Sequence, residues 1–240
     1  WRLLLTTGTG LIFGFLVARQ GYDAGLLAPL FIAMSLAFGL AVFILVLLGL
    51  YCGDGREIGD YIILAMGRLL GIFVAAVLYF VLVYHVTNLY APEHHAFERY
   101  ILLEGNMITG IFWIGQICFG TVIPLLLLFG PFLGVFSGHQ RHCILLACGL
   151  VIVGGFAQLY VIIIGGQSYP LEIFPGWQES SSFFDGVKTV YSASTPELML
   201  GLGGIGLALL IILVGARVLA LMPIELTNST ILSIQDEREA

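Results

Sequence analysis

Ile72-Phe73-Val74-Ala75-Ala76-Val77-Leu78-Tyr79-Phe80-Val81-Leu82-Val83-Tyr84-His85-Val86-Thr87-Asn88-Leu89-Tyr90 is apolar almost throughout until its last turns, where Tyr84, His85 and Asn88 enter. It closes a run over residues 58–89, longer than the ~20 residues a helix needs to cross a bilayer. The apolar residues are continuous rather than alternating, which predicts a helix and not a barrel strand. The run meets water in Ala91-Pro92-Glu93-His94-His95-Ala96-Phe97-Glu98-Arg99-Tyr100, where an unusual share of the chain's few titratable groups gathers.

Five further runs have the same character: residues 2–18, 25–51, 107–129, 143–164 and 196–221. The first is the weakest, being short and rich in Thr and Gly. The predicted fold class is therefore all-α, a polytopic transmembrane bundle of six helices over residues 1–222, with a polar tail at 223–240. The chain is 59% hydrophobic and 10% charged, with mean hydropathy +1.03. Water-soluble domains carry about a quarter charged residues, so a soluble core of this length is excluded. Net charge is −6 with no basic block, which gives no footing for nucleic acid. Cys52, Cys118, Cys143 and Cys148 show no metal-binding spacing, and Cys118, Cys143 and Cys148, in or beside apolar runs, read as buried inert thiols. The chain opens inside an apolar run without Met, and an N-terminal part is expected to be missing. Glycines such as Gly67 and Gly71, and Gly201-x-Gly203-Gly204-x-Gly206, are expected to permit close helix packing.

Lys and Arg in the short loops set the orientation. The side holding Trp1 collects Arg2, Arg56, Arg141, Arg217 and Arg238, against Arg19, Arg99 and Lys188 on the other. The first side, with the C-terminal tail, is expected to be cytoplasmic in a bacterial-type inner membrane. Loops 90–106 and 165–195 then face the periplasm or another extracytoplasmic space.

Polar groups inside a membrane are costly and each needs a reason. His85 lies about 5–8 Å from the extracytoplasmic end of its helix at ~1.5 Å per residue, and Gln116 about 15 Å from the same face. Gln158 and Tyr160 share that half of the bilayer. Ordinary interhelical hydrogen bonding is one reading of these groups, and helix spacing alone does not decide against it. The functional reading is a quinone site. A quinol releases two protons with its two electrons, so its head group needs hydrogen-bond partners and a proton acceptor; histidine suits that role, and a nearby carboxylate can relay the proton. His85, Glu93 and Glu172 are the expected proton-handling residues. Tyr84, His85, Asn88, Gln116, Gln158, Tyr160 and Tyr169 are the expected cofactor contacts. Glu93, His94, His95 and Glu98 read either as a relay or as a solvated loop. The loop from Gly165-Gly166-Gln167-Ser168-Tyr169-Pro170-Leu171-Glu172 to Trp177 is long and aromatic, and reads as a lid over the same edge.

Tyr84-His85-x-Thr87-Asn88-Leu89-Tyr90, Phe112-Trp113-x-Gly115-Gln116, Gly154-Gly155-x-x-Gln158-x-Tyr160 and Gly165-Gly166-Gln167-x-Tyr169-Pro170-Leu171 together resemble the NrfD/PsrC family of polysulfide-reductase-like membrane subunits, the DsrP-like branch above all. The resemblance implies a subunit of eight to ten helices, of which this chain holds six. It implies electron exchange between menaquinone or ubiquinone and an iron–sulfur partner docked on the side of loops 90–106 and 165–195. A molybdopterin or multihaem cytochrome subunit can lie beyond that partner.

Three other readings compete. A di-haem subunit needs paired axial histidines on helices, and only His85 falls inside one, so the chain is expected to bind neither haem nor metal. A proton or ion translocator is expected to place acids at midplane; none falls there, although Asp60 and Arg68 could start a proton path or form a simple surface pair. A pure membrane anchor without a quinone site is the third.

Overall fold

The computed structural model describes residues 1–56, 58–130, 140–174, 177–178 and 186–219, with only the backbone described at 172–174 and 177–178. The elements are α1 (Arg2–Gly14), α2 (Leu27–Gly53), α3 (Asp60–Tyr90), a 3₁₀ turn (Pro92–His94), α4 (His95–Leu102), α5 (Met107–Phe129), α6 (Gln140–Ser168), the short antiparallel pair β1 (Glu172–Phe174) and β2 (Trp177–Gln178), and α7 (Thr195–Val218). Helices α2, α3, α5, α6 and α7, of 23 to 31 residues, are long and apolar enough to cross a membrane. The sixth expected span, at residues 2–18, is in this chain a helix of 13 residues that gives way to turns from Phe15 onward. At ~1.5 Å per residue that length falls short of the ~30 Å hydrocarbon layer. The expected polar tail at 223–240 lies outside the described residues.

Contacts divide the chain into two units, 1–45 with 63–189, and 46–62 with 190–240. In the first, α3 shows why the helices associate. Its buried residues Ile63, Gly67, Leu70, Val74, Val77, Val81, Tyr84 and Asn88 recur every three or four positions and form one face. The hydrophobic effect gives little drive between helices in lipid, so contact depends on close approach at small residues. Gly67 lies under Ile144 and Gly71 under the ring of Phe129, where an added Cβ would sit at 2.8 Å from either. Gly120 of α5 and Gly154 of α6 meet backbone to backbone, and Gly115 faces Ala157. These glycines serve the close packing expected of them.

Two of the long helices depart from α geometry. Residues Ile111–Val122 of α5 and Val161–Gly165 of α6 form π-helix, in which each bond spans five residues, as between the Ile123 N–H and the Cys118 carbonyl. The π-turn widens a helix and is often found at functional sites.

The segment 92–106, expected as a loop, is largely helical. Pro92 stops α3 and the 3₁₀ turn leads into α4, whose buried Phe97, Glu98 and Ile101 share one face. Asn106 then ties α4 to α5: its side chain accepts from the Thr109 N–H at 2.8 Å and donates to the Tyr100 carbonyl at 3.1 Å. Gly105 between them has φ +68°, a left-handed turn that a glycine adopts without strain.

In the second unit, α2 ends at Gly53 and the chain turns through Gly55, at φ +66°. The start of α7 is fixed by Glu197, whose carboxylate accepts from the Ser194 N–H at 2.8 Å and the Tyr191 hydroxyl at 2.9 Å. No residue of α7 is buried, and Gly201, Gly203, Gly204 and Gly206 have nothing within 4 Å of an added Cβ. The packing expected of that motif is therefore absent among the described residues: α7 offers its small residues to no described neighbour.

This contrast gives a test of the packing argument. Gly154→Val drives its side chain into the Gly120 backbone and is expected to cost about 1–3 kcal/mol or more. Gly204→Val is expected to be close to neutral. Thermal unfolding midpoints in mild detergent, compared for the two variants, check it.

Candidate functional site

The polar residues at the end of α3 are organised by a residue of α4. Glu98 has no exposed surface and lies between two side chains of α3. Its Oε2 is 2.7 Å from His85 Nδ1, and its Oε1 accepts from Asn88 Nδ2 at 2.9 Å. His85 and Asn88 are three residues apart on α3 and so stand on one face. The eight-residue α4 folds back beside that face and brings Glu98 to both. Asn88 turns its amide N–H toward the carboxyl, whose Oε1 accepts. The contact with His85 is a single short hydrogen bond between Nδ1 and Oε2.

With Nδ1 committed to Glu98, the nitrogen left over on His85 is Nε2. The ring is held edge-on by Phe112 at 4.9 Å and by Tyr84 at 5.1 Å between centroids. His85 is one wall of a narrow, partly open cleft with about 20 Å³ of free interior. Gly21, Leu27 and Leu30 line it from the chain around the start of α2; Val81 and Tyr84 from α3; Phe97 and Ile101 from α4; Gln116 from α5; Gln158, Val161 and Ile162 from α6. Both π-helical segments contribute to this lining. Gln116 and Gln158 are buried, at 4% and 2% exposure, and the Oε1 of the first and the Nε2 of the second find no hydrogen-bond partner among the described residues. A buried amide atom left unpaired costs about 1–3 kcal/mol.

The turn 19–22 roofs the cleft. Gly21 lies directly under the Phe97 ring, and its carbonyl accepts from the Tyr84 hydroxyl at 2.7 Å. The Gln20 carbonyl accepts from His94 Nδ1 at 3.0 Å. Arg19 donates to the Gln167 carbonyl at 2.9 Å, with the carbonyls of Gly166 and Tyr169 at 3.4 Å, a cation set at the end of α6 where the helix dipole is negative. Tyr22 donates to the Ile163 carbonyl at 3.0 Å. Burial pushes its phenol up to about 12, against a smaller lowering by the neighbouring Arg19, so it remains a donor at any physiological pH.

The expected site residues separate into groups. Tyr84, His85, Gln116 and Gln158 line one cleft. Asn88 sits behind His85 and meets Glu98. Tyr169 does not line the cleft but packs on Phe97 and Tyr100, each at 5.5 Å, beside the Tyr100–Ser168 hydroxyl pair at 2.8 Å. Lys188, at the far end of the same loop, pairs with Glu104 and lies over the Tyr100 ring. Tyr160 is half-buried outside the lining, and Glu93 is exposed on the 3₁₀ turn. The side chain of Glu172 lies outside the described residues. His94 and His95 bond to the backbone carbonyls of Gln20 and Leu89. The residue that sequence reasoning undervalued is Glu98, grouped there with its loop neighbours. Its signal was the spacing of Phe97, Glu98 and Ile101, which puts a carboxylate on the apolar face of a short helix.

Residues 1–170 match the family described as polysulphide reductase, NrfD. The chain belongs to this family. That stretch contains every residue of the cleft. Similar proteins include the Hdr-like menaquinol oxidoreductase integral membrane subunit of Archaeoglobus fulgidus, 27% identical over 226 residues, which are 93% of this chain and 56% of that protein. The C subunit of the selenate reductase of Mesobacillus selenatarsenatis is 27% identical over 221 residues, 90% of this chain and 48% of that one. The membrane C subunit of a putative dimethyl sulfoxide reductase of Halobacterium salinarum is 28% identical over 232 residues, 89% and 49%. The chain thus spans about half the length of the curated relatives it matches. No solved structure matches. This NrfD-family chain is an integral-membrane protein of the helical class expected from its sequence.

Glu98→Ala removes the shared acceptor of His85 and Asn88 and is expected to cost about 3–5 kcal/mol, the range for breaking a buried pair. Glu93→Ala, at an exposed position, is expected to stay within ~0.5 kcal/mol. Unfolding midpoints or the yield of assembled protein in detergent separate the two.

Proposed function

We propose that this NrfD-family chain is the quinone-reactive membrane subunit of a multi-subunit oxidoreductase, exchanging electrons between membrane quinone and a partner redox subunit. The observation that carries the reading is that one apolar cleft is lined by Gln116 and Gln158, whose Oε1 and Nε2 have no described partner, and by His85, whose Nδ1 is held by Glu98. A quinone head group offers carbonyl acceptors and, when reduced, hydroxyl donors, and this set matches both. The apolar lining, Leu27, Leu30, Val81, Phe97, Val161 and Ile162, suits the ring and the start of an isoprenoid tail. The similarity to a protein named as a menaquinol oxidoreductase subunit points the same way.

A bound quinol supplies two electrons and two protons on oxidation. Within this chain, Gln158 donates a hydrogen bond into the cleft and Gln116 accepts one. His85 accepts a proton at Nε2, and the charge that then appears on its ring is met by Glu98 at 2.7 Å on the opposite nitrogen. Glu93 and Glu172 pass this proton on to water, which frees His85 to accept the second proton by the same route. The electrons leave to an iron–sulfur partner on the side of segments 90–106 and 165–195, which is extracytoplasmic in a bacterial-type inner membrane. A molybdopterin or multihaem cytochrome subunit lies beyond it. Tyr169, held on Phe97 and Tyr100 above the roof of the cleft, begins the lid.

Solvent extraction of the gently purified native complex tests this. About one quinone per chain is expected in the wild type, with a loss of tenfold or more in His85→Ala and a smaller loss in Gln158→Leu. Equal quinone in all three forms moves the site off these residues. Its absence from an intact wild-type complex leaves the chain as an anchor.

A further inference from the structure

We infer that Glu98 and Asn88 together determine which redox form of the quinone this cleft prefers, by fixing which nitrogen of His85 carries its proton. The inference rests on the proposed quinone site and adds to it two positioning residues that need not touch the ligand. Asn88 donates to Glu98 Oε1, so the oxygen of residue 98 on that side must be an acceptor. The other oxygen faces His85 Nδ1 at 2.7 Å; the inference includes that residue 98 is held as a carboxylate, whose oxygens only accept, so that Nδ1 carries the proton. A neutral His85 therefore presents a bare Nε2 to the cleft. Bare Nε2 accepts from a quinol hydroxyl and has nothing to offer a quinone carbonyl. When Nε2 takes up a proton the ring becomes a cation held against Glu98, and only then does it donate. Phe112 and Tyr84 pack edge-on against the ring, which resists the rotation that would exchange its two nitrogens. The Tyr84 hydroxyl donates to the Gly21 carbonyl, so it does not compete for the carboxylate.

Substitution by an amide reverses this polarity without changing shape. In Glu98→Gln the single side-chain oxygen is claimed by the Asn88 donor, which leaves the NH₂ of the introduced amide facing His85 Nδ1. Nδ1 must then accept, the ring proton moves to Nε2, and the cleft presents a permanent donor. A second substitution reverses it again. In Asn88→Asp/Glu98→Gln the new carboxylate accepts from the amide NH₂, the amide oxygen turns to His85, and Nδ1–H with bare Nε2 is restored. Misfolding or loss of volume in the first variant would not be repaired by the second.

The experiment measures the affinities of menadione and menadiol for the purified native complex, as wild type, Glu98→Gln and the double variant. Glu98→Gln is expected to shift the affinity ratio toward the oxidised form by about tenfold or more. For a two-electron couple each tenfold lowers the midpoint of the bound quinone by ~30 mV. The double variant is expected to return to within about threefold of the wild-type ratio. Binding with an unmoved ratio in Glu98→Gln, or a shift that the double variant fails to reverse, overturns the inference while leaving the quinone site standing. No binding of either form to the wild type overturns the site and the inference with it. If Glu98→Gln does not accumulate, nitrogen NMR of the wild-type complex labelled with ¹⁵N-histidine reads the protonation directly. A bare Nε2 with menadiol bound, its signal missing from His85→Gln protein, supports the inference; a protonated Nε2 with menadiol bound overturns it.

Discussion

A carboxylate with no exposed surface sits between His85 and Asn88, and the arrangement of this part of the molecule follows from keeping it satisfied. A carboxyl group is costly to bury unless partners meet it with good geometry. Here the partners come from the last turns of α3, so α4 must fold back against α3 in one register. That register places Phe97 over Gly21 and draws the turn 19–22 down onto the cleft. The same turn holds the end of α6 through Arg19 and Tyr22. One electrostatic constraint thus positions a helix, a turn and the terminus of a third element.

The membrane environment explains why so few polar groups carry so much. Where water is absent, each buried donor or acceptor must find a partner or be held ready for one. The four intramembrane polar residues with the clearest positions divide on this criterion. His85 and Asn88 are committed to Glu98. Gln116 and Gln158 each keep an atom without a described partner, and both stand on helices that turn π-helical at or just beyond them. The wider π-turn opens space where regular α geometry would close it, which links the irregular backbone to the cleft.

Glycines act in two distinct ways. At Gly120 and Gly154 the absence of a side chain lets two backbones touch, a contact that replaces the hydrophobic drive missing in lipid. Along α7 an equally dense set of glycines meets nothing described. The motif alone does not distinguish these cases, because a small residue permits close approach without supplying the neighbour that approaches.

Apolar runs of about 20 residues or more settle the helical membrane class by themselves, since only helices and closed barrels satisfy the backbone in lipid and the residues do not alternate. The residue order likewise put Tyr84, His85 and Asn88 in the last turns of one helix, and the folded chain showed that they are buried there. The residue order also marked Gln116 and Gln158 as polar groups at compatible depths, without deciding whether they meet. Other features needed the folded chain. The eight residues of α4 are too few and too polar to read as a helix in isolation, and their form depends on packing against α3. Glu98 therefore looked like one of several loop acids, while Glu93, on the preceding turn, remains at the surface. The roof made by residues 19–22 joins segments far apart in the chain through backbone carbonyls, which carry no sequence signature. Side-chain chemistry was written in the residue order; the partners of the backbone were decided only when distant segments met.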